Sequence, residues 1–427
     1  MVNKKPRMQA PLHNAIRNGE KDFIEKLFQY DYVNDIETTD ELGLTPLHTA
    51  ILCKNDAIAK LLIDNGANVN ANSNEGEVLP EIKKAIEKAK VKSMFYGTSD
   101  LLKCCTKLSP LHIATINGSL KIVSLLIENG AIVNIENGNS LRPIHAAIHS
   151  GFVDIVSLLF KNNALIGNLQ APEFLSHEGL LAHAADDGNA KIMELLFQNG
   201  IQAKCKRAFQ HALDLGHLDV VEVLVKNGAV IDDYDKYESY PPLYLAALFH
   251  EDHEFKMVRF LVEHGADVDI LGGEDFDETV LHVASRTGNF ELAKYMIQND
   301  ADIDCQTIET NYYNGDPPLG STPLHLAIYN GYTDIAEMLI NFGASLDILN
   351  SCWHRKTPLH CAIEEENEKI IQALISNGAN IEAWSRCYAC WEDKLTCVHY
   401  QKPLEVALAE KMFKGMKSFL LINHGKS

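Results

Sequence analysis

Four side chains able to ligate a metal fall within thirteen residues near the end of the chain: Cys387, Cys390, Cys397 and His399. Thiolate and imidazole in a two-plus-two set suit tetrahedral Zn²⁺, and a site closed by four protein ligands stiffens a loop rather than catalysing. The six residues between Cys390 and Cys397 are few for a zinc finger. Free, reduced cysteines with no cofactor are therefore the first reading, and a structural zinc the second. Other chemistry is sparse. The sequence holds eighteen histidines, yet no Gly-x-Ser-x-Gly elbow, Gly-rich phosphate loop or zinc-protease pair accompanies them. Acidic runs are present, but none has the alternating Asp pattern and distal Glu of a calcium loop. No catalytic residue is assigned, and the chain reads as a non-enzyme.

The histidines lead instead to a repeating phrase. His13, His48, His112, His145, His282, His325 and His360 each follow a Leu or Ile that itself follows Pro or Val. The phrase is fullest as Thr45-Pro46-Leu47-His48, Ser109-Pro110-Leu111-His112, Thr322-Pro323-Leu324-His325 and Thr357-Pro358-Leu359-His360. Anchors fall at Leu12, Leu47, Leu111, Ile144, Leu181, Phe209, Leu243, Leu281, Leu324, Leu359 and Leu404, about eleven units. Self-similarity at a fixed period signals a stacked repeat array.

One unit, 109–134, shows the elements that the spacing demands. Ser109 caps a helix, and Pro110 sits at the first helical position, where a missing N–H costs nothing. Gly118 ends that short helix, since glycine readily takes positive φ. A second helix then presents Ile122, Leu125 and Leu126 as one apolar stripe and closes at Gly130. Asn163 and Asp300 replace that terminal glycine in two units, and both residue types tolerate the left-handed conformation. A lone helix pair cannot bury its apolar sides, so neighbours must stack.

The recurring phrase, with its paired helices and Gly-Ala terminators, resembles the ankyrin-repeat family over residues 10 to 425. The resemblance implies an all-α ankyrin-repeat solenoid of helix-loop-helix units with projecting finger loops, one continuous body over 1–427. It also implies that the phrase's histidine packs at the turn and bonds Thr or backbone groups, and that partners bind the fingers and the inner helix face. The phrase is weakest around Leu181, Phe209 and Leu404.

Departures from the period locate insertions. Between Leu47 and Leu111 the extra residues span about 71–106, with a strong helix former at 81–90. This reads as a helical insertion rather than a decayed repeat. Smaller excesses fall at 167–178, 270–278, 305–320 and 384–400, the last a Cys- and aromatic-rich finger. Trp353, Trp384 and Trp391 lie in expected fingers, with Tyr240, Arg355 and Arg386 also there, and interface hot spots favour these residue types. Together they form the expected partner-binding set. A scaffold or adaptor is the expected function, its partner a protein, with a basic surface as one option beside the acidic runs. Two other readings are kept: an enzyme or host-directed effector acting through 71–106 or the Cys-rich finger, and a substrate receptor of a ubiquitin ligase, for which no F-box-like or SOCS-box-like tail is found.

Bulk properties agree. A formal charge of −20 over 427 residues disfavours nucleic acid and anionic membranes, which need clustered Lys and Arg. No apolar run is long enough to span a bilayer, and no signal-peptide core, myristoylation site or prenylation box is found. Ten scattered cysteines suit a reducing compartment. The expected location is the cytoplasm, with the nucleus left open.

Overall fold

A computed structural model describes residues 11–33, 35–73, 80–88, 102–167, 173–202, 206–234, 240–249, 255–272, 276–309, 320–350, 355–386 and 400–403. It divides into two compact units, Met1–Val230 and Ile231–Ser427. Unit one holds six helix pairs, repeats one to six: Pro11–Asn18 with Lys21–Gln29, Pro46–Leu52 with Asp56–Asp64, Pro110–Ile116 with Leu120–Glu128, Pro143–His149 with Val153–Lys161, His177–Asp186 with Ala190–Gln198, and Lys206–Asp214 with Leu218–Lys226. Among the described residues unit two holds four, repeats seven to ten: Pro242–Phe249 with Lys256–Glu263, Val280–Thr287 with Phe290–Gln298, Pro323–Tyr329 with Thr333–Asn341, and Pro358–Glu364 with Glu368–Ser376. Ten expected anchors therefore lie on first helices. Leu404, the eleventh, lies outside the described residues. The repeat stack is all-α, and among the described residues the only strands are two-residue segments, β1 (Phe276–Asp277), β2 (Ile308–Glu309), β3 (Ser385–Arg386) and β4 (Tyr400–Gln401).

The core runs along the seams between repeats. The first helix of repeat three is buried at all seven positions, Pro110 to Ile116, because its own second helix, the first helices on either side and the lone helix Pro80–Lys88 enclose it. The second helix buries Ile122, Val123 and Leu126. Leu125, expected in that stripe, is only half-buried. The seam follows i, i+1, i+4, and Val123 takes the place that a broader face would give Leu125.

Terminators behave as their residue types require. Asn163 and Asp300 carry φ of 61° and 65°. Repeat five departs from the pattern: Ser176 caps its first helix by accepting from the Gly179 N–H, so the helix begins about a turn before Leu181.

The glycine ending a first helix also meets the next repeat. A Cβ on Gly288 would lie 2.3 Å from the Tyr332 ring, at a φ of +80°. Gly288→Ala is therefore expected to destabilise unit two by roughly 1–3 kcal/mol through strain and overpacking. Urea denaturation of the full chain measures it; an unchanged midpoint refutes this account of the glycine.

Candidate functional site: the finger necks and tips

In six repeats the phrase histidine fastens its repeat to the segment that follows. Thr45 Oγ1 lies 2.8 Å from His48 Nδ1, the Thr45 N–H donates to the same nitrogen, and His48 Nε2 reaches the Leu108 carbonyl at 3.1 Å. A carbonyl only accepts, so Nε2 carries the proton and Nδ1 is the acceptor. His13, His112, His145, His282 and His325 repeat the outward bond, to the carbonyls of Leu44, Leu141, Ile166, Ser321 and Lys356. Burial pushes His48, His112, His145, His282 and His325 down to about 4. These side chains are structural, as the resemblance implied.

Five of the six accepting carbonyls belong to a shared device, a neck that closes each finger. The Asp40 N–H donates to the Leu44 carbonyl, and the Leu44 N–H returns to Asp40 Oδ1, both at 3.0 Å. The same two bonds join Ser73 to Leu108, Asn137 to Leu141, Thr307 to Ser321 and Asn350 to Lys356. Gly272 and Glu278 pair through backbone alone, and Ser385 pairs with Gln401 between β3 and β4. The enclosed tips range from three residues (138–140) to thirty-four (74–107). A closed two-bond neck lets the tip lengthen without disturbing the stack, and this is why long insertions are tolerated there. The sequence signal for the neck was present but unread: a short polar residue, then a variable stretch ending just before the Thr-Pro or Ser-Pro.

A second ladder runs beneath the fingers. In unit one Glu37, Asn70 and Asn134 accept from the Asn68, Ile132 and Leu165 N–H groups of the following repeats. In unit two carboxylates do this work: Asp232, Asp269, Asp304 and Asp347 accept from Asp267, Asp302, Ser345 and Asn380. Burial raises the Asp232 and Asp269 carboxyls, with neighbouring aspartates adding to the shift. Part of the acidity of unit two is thus fixed by stacking.

Two departures from the ladder escaped sequence reasoning. In repeat seven Tyr244 stands where the histidine would be. Its hydroxyl donates at 2.9 Å to Glu278 Oε1, which Arg286 Nη2 also meets at 2.7 Å. The rung is rebuilt from side chains at the same neck residue. In repeats five and six the phrase fails, and ionisable groups replace it. The Asp186 carboxylate is fully buried 2.6 Å from His211 Nδ1, and His183 Nε2 lies 3.2 Å from the His149 carbonyl. Nothing in the phrase announces these groups.

The expected partner residues are placed as follows. Tyr240 is half-buried, its ring 5.8 Å from Tyr244. Trp384 is 52% exposed just before the last neck, with Lys402 Nζ 4.9 Å above its ring. Arg355 is exposed in the tip between Asn350 and Lys356, with a φ of 47°. Arg386 pairs through its backbone with Tyr400. Trp353, Trp391, Cys387, Cys390, Cys397 and His399 lie outside the described residues, and so does the proposed zinc set. Adjacent tips also meet: β1 pairs antiparallel with β2, Phe276 opposite Glu309. Among the described residues no group of three His, Cys, Asp or Glu side chains is arranged to hold a metal ion, and no helix is long and apolar enough to cross a membrane.

Comparison with known proteins gives concordant findings. A family model described as ankyrin repeats matches residues 2–73, 84–170, 231–307 and 307–383. It passes over repeats five and six, where the phrase fails. The human transient receptor potential cation channel subfamily A member 1 is 23% identical over 79% of this chain, which covers 27% of that channel. Mouse protein phosphatase 1 regulatory subunit 27 is 43% identical over 16% of the chain and 39% of its own length. A putative ankyrin repeat protein of Acanthamoeba polyphaga mimivirus is 36% identical over 20% of the chain and 55% of its own length. The chain thus spans less than two thirds of each of these relatives. Helix pairs capped by the recurring phrase, pinned through its histidine and matched by that family model over most of their length identify the chain as a member of the ankyrin-repeat family.

Proposed function

We propose that the chain is a protein-binding scaffold or adaptor whose recognition surface is the set of lengthened finger tips in unit two, between about residues 232 and 400. The observation that carries the reading is the neck. Loops of very different length leave the stack through one closed geometry, so their tips are free to vary for recognition, where loops on rigid scaffolds commonly bind. Trp384 and Arg355 are exposed at such loops, and hot spots favour Trp, Tyr and Arg. Tyr240, Trp353, Arg386 and Trp391 complete the proposed set. The carboxylates of unit two suit a partner with a basic face, which would be steered to it electrostatically. The 71–106 segment, closed off by the Ser73–Leu108 neck, is taken as a helical insertion, and 384–400 as a Cys- and aromatic-rich finger insertion. The cytoplasm remains the proposed location.

Affinity purification with mass spectrometry tests this, using the full chain and a variant with Trp353, Trp384 and Trp391 replaced by Ala. Loss of buried aromatic anchors should lower recovery of the specific partner by about tenfold or more. Equal recovery would remove the tryptophans from the surface.

A further inference from the structure

We propose that the face of repeat three covered by helix 80–88 is a helix-accepting site, closed at rest by the chain's own insert. Its outside partner would be an amphipathic helix bearing an aliphatic pair four residues apart. The surface belongs to unit one and is separate from the fingers of unit two, so its failure leaves the finger reading standing.

Helix Pro80–Lys88 is short, yet Ile82 and Ile86 are both 0% exposed. Four residues apart, they share one face, and the helix packs against the first helix of repeat three, Pro110–Ile116. Lys83 and Lys84 are exposed. This is the helix-in-groove mode of recognition, in which i, i+4 apolar anchors enter an apolar surface, here made within one chain.

The attachment allows release. Ser73 and Leu108 close the neck with two bonds of 3.0 Å, and repeats two and three are pinned independently of the helix. His48 reaches the Leu108 carbonyl, Asn117 Nδ2 donates to the Ile51 carbonyl, and Lys54 Nζ donates to the Asn117 carbonyl. At the far side Asn137 Nδ2 donates to Thr106 O at 2.9 Å and also to Cys104 O. The insert is therefore held at both ends by bonds that do not involve helix 80–88. The helix can leave its face while the stack and the ends of the insert stay in place. A tethered occupant of this kind competes at high effective concentration, so an outside helix would bind weakly until the insert is displaced.

The test uses a labelled peptide containing residues 80–88 and the full-length chain. In one variant Ile82→Asp and Ile86→Asp are combined to free the face. In a second, segment 74–107 is exchanged for the Gly-Asn-Ser tip that joins Asn137 to Leu141. Fluorescence anisotropy should show the peptide binding the freed chains at least about tenfold more tightly than the native chain, because the tethered competitor is gone. A peptide carrying both Asp substitutions should not bind. The proposal is overturned if neither freed chain gains affinity, or if both peptides bind alike. The exchange variant retains the Ser73, His48, Asn117 and Lys54 bonds between repeats two and three, and it decides the matter if the double-Asp chain fails to fold.

Discussion

Lowering the pH from 7 to 5 should cut the melting temperature of unit one by about 10 °C, through a few kcal/mol of lost stability. The cause is the histidine ladder. His48, His112 and His145 are held down to about 4 by burial in the folded chain, whereas an unfolded histidine titrates near 6.5. The unfolded state therefore binds protons first. The stabilisation from neutral, bonded imidazole is complete above about pH 6.5 and drains as pH falls toward 4, at roughly 1 kcal/mol per pH unit for each histidine. A protonated Nδ1 would also confront the cap N–H that now donates to it. Unit two carries two such rungs, at His282 and His325, against three in unit one, and burial raises its Asp232 and Asp269 carboxyls. A carboxyl raised on folding gains protons sooner in the folded state, so it adds stability as pH falls. Unit one should accordingly lose more than unit two. Hydrogen exchange by mass spectrometry across the pH range resolves the two. Equal acid sensitivity, or none above pH 5, would refute the ladder.

Leu126→Ala should destabilise unit one by about 2–5 kcal/mol, the cost of a cavity in a well-packed core. Leu126 is 0% exposed, on a second helix that packs against the second helices of the repeats on either side. Its neighbour Leu125 is half-buried, and Leu125→Ala should cost only about 1 kcal/mol, nearer the transfer of partly exposed methyl groups. Urea denaturation of both variants gives the comparison. In stacked repeats each unit touches only its neighbours, so added hydrogen exchange after Leu126→Ala should be greatest in repeats two to four. Equal costs for the two leucines would mean that the seam has been misplaced.

Much of the stack was legible because its signals are local. A cap residue, a proline at the first helical position and an apolar residue every three or four positions act within one or two turns. Ten anchors consequently fall on first helices. The left-handed terminators at Asn163 and Asp300 were readable for the same reason, since φ preference belongs to the single residue. Leu125 departs from the expected stripe because the pattern on one helix does not set how narrow the facing seam is.

What the sequence determined alone, then, was the repeat and the helix pair, whereas the structural use of the phrase histidine followed from the family resemblance. The tertiary structure decided how fingers are closed and what replaces a missing rung. Ser73 and Leu108 are partners because stacking brings two repeats together. Tyr244 and Glu278 are partners because a neck residue falls beside the histidine position of the preceding repeat. Such pairs lie tens of residues apart and share no local preference, so only the folded chain, by fixing which backbone groups must be satisfied across a seam, selects them.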